Sequence, residues 1–100
     1  MQMPPIDFEA TLWLWPSEKA SWHFLTLPLE AAQSLRFLPC ARFGSIKVEV
    51  QLGTSRWQTS VFPSKEKDSY ILPVKASVRK KESLEAGDQV HLSIQPLVEI

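Results

Sequence analysis

Two groups of side chains in this 100-residue chain have types and spacing that could do chemistry. Lys75, Arg79, Lys80 and Lys81 form a basic stretch that, with Arg36 and Arg42, carries the charge to hold phosphates or an acidic partner. Glu82 and Glu85 follow directly as local counter-charges, so the stretch also reads as a solvated helix face. Trp13 and Trp15 form the second group. They lie on the strand face opposite Phe8, Leu12 and Leu14, where they could make a ligand wall, a dimer surface or a stacking platform, unless a helix or loop covers them. Trp22 and Trp57 read as core or rim residues.

The remaining reactive residue types do not assemble into a catalytic pattern. His23 and His91 stand without a cysteine or carboxylate at metal-ligand spacing. Alternation sets His23 against Trp22 and Phe24, and His91 against Val90 and Leu92, which predicts outward or rim positions for both. Cys40 follows Pro39 with no adjacent histidine to activate it. Gly44, Gly53 and Gly87 stand singly at turns, so no glycine-rich loop is present to cradle phosphates. Asp7 and Glu9 share a strand face, an arrangement far commoner on solvated surfaces than in an acid and base pair. The expectation is a protein that is not an enzyme and holds no metal or cofactor.

Stepping from side chains to the elements that carry them, the chain alternates with period two over residues 7–15, the mark of a strand with one buried face. A polar turn leads to a second β-prone run over 21–27, completing a hairpin. Pro28 opens a short helix over 28–38, with Glu30 in its first turn and Leu29, Ala32 and Leu35 on one face together with Phe37 or Leu38; Pro39 ends it. The clearest strand covers 45–52, where Ile46, Val48, Val50 and Leu52 alternate with polar residues. A turn at Gly53 returns the chain over 56–62. Pro73 assigns the strand 70–74 to an edge, a bulge or an end. Residues 76–84 have helical character, with Val78 inward and Arg79, Lys80, Lys81 and Glu82 toward water. Gly87 is expected to take positive φ before a closing strand over 89–95. Six strands and two short helices at this spacing predict a barrel or sandwich.

Composition agrees with one domain over residues 1–100, with 1–5 as a loose lead-in. Hydrophobic residues make up 44% and charged residues 22%, the profile of a folded domain and not of a disordered chain. Net charge is zero and the pI is about 6.7, which argues against a protein held to nucleic acid by its global field. The charge is segregated, however: residues 1–34 balance at −3, residues 35–81 at +7, and the last nineteen at −4. One cysteine excludes an internal disulfide. With no signal-peptide pattern and no apolar run near the roughly 20 residues of a membrane helix, the expectation is a soluble, cytoplasmic protein.

An ordered set of short motifs carries a resemblance. Trp22-His23-Phe24 leads to Leu27-Pro28, and Phe43-Gly44-Ser45 opens a strand. Thr59-Ser60-Val61-Phe62-Pro63, Tyr70-Ile71-Leu72-Pro73-Val74-Lys75, Val78-Arg79 and Gly87-Asp88-Gln89-Val90 follow in order. From about Phe8 to Ile94 the chain resembles the bacterial and archaeal family known as domain of unknown function 1905. That resemblance implies a mainly β fold, a six-stranded double-split pseudo-barrel with two short helices, grouped with the AbrB and MazE proteins. It implies no activity. It also places Arg79 on a signature position, a role that an arginine tying the helix to a strand carboxylate would explain equally well.

The reading that follows is a non-catalytic binding module, monomer or homodimer, that takes a small ligand or protein partner at a barrel rim or on its aromatic face. Trp13, Trp15, Arg42, Lys75 and Arg79 are the candidate contacts. Phe8, Leu12, Val48, Val50 and Leu92 fill the interior, so a ligand would sit at a rim beside one of the helices. The alternative is a nucleic-acid-binding regulator using the basic segment 35–81. The neutral net charge and the acidic C-terminal segment weigh against it.

Overall fold

A computed structural model describes residues 4–15, 22–38 and 44–97. Among these residues the order is β1 (Ile6–Trp15), β2 (Trp22–Thr26), α1 (Leu29–Arg36), β3 (Ile46–Leu52), β4 (Ser55–Ser64), β5 (Ser69–Pro73), α2 (Ala76–Lys81) and β6 (Gln89–Pro96). The strands close into one barrel in the order β1-β2-β5-β4-β3-β6, and every pairing is antiparallel. The fold is mainly β, as expected, with its two helices in the expected places.

Closure depends on two ten-residue strands that each serve two neighbours. The first half of β1, from Ile6 to Thr11, pairs with β6, and its second half, from Leu12 to Trp15, pairs with β2. β4 does the same: Ser55 to Val61 pairs with β3, and Phe62 to Ser64 with β5. Each long strand therefore changes partner midway, and two half-sheets join into a barrel without leaving a long unpaired edge.

Inward residues of successive strands fill the interior. Leu12, Leu25, Ile46, Val48, Val50, Val61, Leu72, Leu92 and Ile94 are all almost wholly buried. Burying such side chains stabilises the fold by roughly 1.5–3 kcal/mol each. The two buried serines are satisfied: Ser69 Oγ donates to Leu27 O at 2.7 Å, and Ser55 Oγ donates to Glu82 Oε2 at 2.8 Å.

The helices cover opposite ends. α1 follows β2 and packs on β1 and β5, burying Ala31, Ala32 and Leu35. Leu38, not its alternative Phe37, continues that buried face, and Leu29, assigned to it from the sequence, is exposed, as is Phe37. The helix turns 100° per residue, so burying Ala31 and Ala32 together rotates Leu29 and Phe37 out of the contact. α2 follows β5 at the other end and ends earlier than its 76–84 pattern suggested. Leu84 N donates to Arg79 O and Ser83 N to Lys80 O, the paired bonds of a Schellman cap, with Ser83 at φ 56° where glycine is usual.

Leu14 also departs from expectation. It shares the inward face of β1 with Phe8, Ala10 and Leu12, yet it is 46% exposed because β1 runs past the end of the core.

Candidate functional site

A cleft lies at the α2 end, where β4 and β5 separate. Their last pair toward this end is Phe62 with Ile71. Beyond it β4 stays with β3, whereas Pro73 and Val74 stay with β2: Val74 N donates to His23 O at 2.9 Å. Pro73 has no N–H to give to a ladder and is the final residue of β5, so the expected strand end falls at the rim of the opening.

The gap has a volume of about 420 Å³. Trp22 and His23 of β2 line one side, and Trp57, Gln58 and Thr59 of β4 the other. Pro73 to Ala76 form the floor between them, and Arg79 of α2 closes the end. Trp57 pairs opposite Val50 and Thr59 opposite Val48, so both face inward on the row that holds Val61. They line a barrel mouth that the core does not fill.

Arg79 is the best-fixed charge in the cleft. Its Nε donates to Val74 O at 3.1 Å, which orients the guanidinium, and its Nη1 lies 3.5 Å from His23 Nε2. It is half-buried, not turned to water as its place in a basic helix suggested. Among the described residues it has no carboxylate partner, so it ties the helix to a backbone carbonyl and not to a strand acid. Lys75, at the N-cap of α2, adds a second cation to the same wall. Among the described residues the lining contains no acid.

His23 occupies the rim, but on the inward face. Leu14 is its partner on β1, and the buried Leu25 and Leu27 share its side of β2; Trp22 and Phe24 are the outward residues. Its Nδ1 is buried and has no hydrogen-bond partner. His91 is exposed opposite Glu9 on the outer face of the β1–β6 pair, as alternation predicted.

Glu82 holds α2, and Arg79 with it, in position. Its Oε2 accepts hydrogen bonds from Thr54 Oγ1 at 3.1 Å and Ser55 Oγ at 2.8 Å. The Ser55 bond, helped by Thr54 and by the nearby Lys81 charge, keeps the carboxyl below its usual value of 4.5 despite an opposing cost of burial. The carboxylate crosses the β3–β4 turn against Gly53, where φ is 58° and any Cβ would strike Glu82. Glycine takes this φ without strain, and a side chain there would push the Glu82 carboxylate from its place. The sequence placed Glu82 in water; a tertiary contact 27 residues away recruits it.

The two tryptophans of β1 have different fates. Trp13 is half-buried: its Nε1 donates to Thr26 Oγ1 at 2.9 Å, its ring centre is 5.2 Å from that of Phe24, and Lys67 Nζ stands 4.7 Å from the ring centroid. Trp15 is 44% exposed and Trp22 55%. With Phe24 they frame a shallower hollow of about 330 Å³ that shares Trp22 with the cleft. Of the five candidate contacts, Lys75 and Arg79 thus meet in the cleft, Trp15 borders the adjoining hollow and Trp13 is covered. Arg42 lies outside the described residues, as does Cys40.

The basic segment is only partly free. Arg36 Nη2 is 3.6 Å from Asp68 Oδ1 and donates to Asp68 O at 2.9 Å, and Arg56 Nε is 3.7 Å from Glu49 Oε1. Among the described residues no three His, Cys, Asp or Glu side chains converge as a metal site, and no helix is long and apolar enough to cross a membrane.

The chain matches none of the curated proteins with which it was compared. The family described as "Domain of unknown function (DUF1905)" matches residues 8–94, from within β1 to within β6 and across the whole cleft, and the chain belongs to that family.

Proposed function

We propose that this protein is a non-catalytic binding module that holds a small molecule in the cleft between β2, β4 and α2. One observation carries the reading: an opening of about 420 Å³ lined by two tryptophans, beside an arginine fixed by its own backbone contact and unmatched by any acid among the described residues. Small-molecule sites combine an apolar concavity of this order with a few polar groups of set orientation. Among the described lining residues neither the Thr59 hydroxyl nor the Lys75 amine is hydrogen-bonded to His23, the one base beside them, which favours holding over transforming.

The test is a set of thermal melts against a panel of small organic molecules. A ligand present at about a hundred times its Kd stabilises the fold by about 2.7 kcal/mol. For a domain of this size that raises Tm by roughly 10 °C or more. Trp22→Ala, at a largely exposed site, is expected to leave the ligand-free Tm near wild type and to abolish that rise. A rise that survives in Trp22→Ala would move the site elsewhere.

A nucleic-acid-binding regulator is the weaker reading. It needs the cations of 35–81 to act together, and the pairing of Arg36 with Asp68 and of Arg56 with Glu49 counts against that.

A further inference from the structure

Resting on the binding-module reading, we infer that the ligand of the cleft is a small organic anion: a flat apolar body carrying one acidic head group, a carboxylate or a phosphate. The body belongs against Trp22 and Trp57, and the head group belongs at Arg79, with Lys75 adding charge.

The argument begins with what Arg79 lacks. A half-buried guanidinium has lost part of its hydration and normally regains the loss from a carboxylate or phosphate. Here Nε is satisfied by Val74 O, whereas Nη1 meets only the long 3.5 Å contact with His23 Nε2. Nη2 has no hydrogen bond among the described residues. The guanidinium is thus oriented by one nitrogen and open at the others, the arrangement that suits bidentate capture of a planar or tetrahedral oxyanion. Among the described residues nothing in the lining competes: they include two cations and no acid, so they favour negative charge and disfavour positive charge.

His23 competes only weakly for that guanidinium. Its Nε2 can accept from Nη1, but at 3.5 Å the contact is long, so an anionic oxygen would be the better partner. The flat apolar body follows from the lining, to which Trp22 and Trp57 each contribute an indole, a side chain that packs on purine, indole or phenyl alike.

Calorimetric titration of the full chain at low ionic strength tests this with two matched pairs: indole-3-acetate against indole-3-acetamide, and adenosine 5′-monophosphate against adenosine. In at least one pair the anion is expected to bind roughly tenfold to a hundredfold more tightly than its neutral partner, the worth of one charge-assisted hydrogen-bonding contact. The pair that shows the difference distinguishes a carboxylate from a phosphate head group. Arg79→Gln should bring the anion down to the affinity of the neutral molecule, and Lys75→Gln should narrow the gap without closing it. Arg79→Lys retains the charge and should keep part of the preference, so a folding defect in Arg79→Gln would not hide the result. Equal binding within both pairs, or a preference that survives Arg79→Gln, overturns the anion while leaving the binding module standing. Binding of none of the four probes at millimolar concentration also overturns the ligand class, and the binding module then stands or falls on the panel melts.

Discussion

At the scale of single residues, Glu82 and Arg79 sit on one short helix and do opposite work. Arg79 faces an opening with no acid among its described lining residues, whereas Glu82 is used up in fixing the helix to the β3–β4 turn through Ser55 and Thr54. Because those bonds keep the Glu82 carboxyl below its usual value of 4.5, its contribution to stability has a definite sign with pH. A carboxyl lowered in the folded state stabilises fully above its unfolded value, and that stabilisation is lost as pH falls through the folded value. Melts of wild type and Glu82→Gln should therefore differ most near about pH 7 and converge well below the usual carboxylate range. A Tm gap that stayed constant down to the lowest pH would show that the charge of Glu82 contributes nothing and that only its shape matters.

At the scale of elements, the β1–β2 hairpin shows how much alternation can and cannot reveal. Period two separated Trp13 and Trp15 from Phe8 and Leu12, and it located β1, β3 and β6, because each depends on its own residues facing a common core. It could not say that Trp13 would be covered and Trp15 left open. That difference depends on Thr26, Phe24 and a lysine from the distant β4–β5 loop. The same limit hid the cleft. Lys75 and Arg79 were legible as a basic stretch, but His23, Trp22 and Trp57 join them only because β4 exchanges β5 for β3 midway, a fact of pairing between segments far apart in the chain. Trp57 had a usable signal, since alternation places it on the row of Val61 and Thr59 at the strand's open end. His23 is at the rim, one of the two places expected for it, but on the inward face, because Trp22 and Phe24 are the outward residues of β2. The hairpin yields a direct comparison. Trp13→Ser removes a hydrogen bond and the packing of a half-buried ring, and is expected to cost about 2–4 kcal/mol. Trp15→Ser should cost about 1 kcal/mol or less. Urea unfolding of the two variants checks the order; equal losses would mean that the outer aromatic cluster acts as one unit.

At the scale of the whole molecule, a closed barrel with two shared strands spreads its stability around the ring and leaves the α2 end as the place where pairing lapses. The same architecture spreads the basic residues of 35–81. They leave the chain on α1, β3, β4, the β4–β5 loop and α2, and the barrel carries these elements around its circumference and to both ends. A duplex is held by cations gathered along one face, each releasing counterions from the phosphates, so a molecule of zero net charge with its cations dispersed and partly paired has little to offer. The cleft also has the wrong shape for a duplex: it is a pocket for one group, not a groove, and its two cations, Lys75 and Arg79, are neighbours at one point. Duplex DNA in a gel-shift series at low salt is therefore expected to show no retardation, while the small organic anions bind under the same conditions. Retardation that weakened with salt and was lost on neutralising Lys75, Arg79 and Lys80 would reverse this ranking. It would mean that the basic segment, and not the tryptophan-walled gap beside it, is the surface this barrel was built to present.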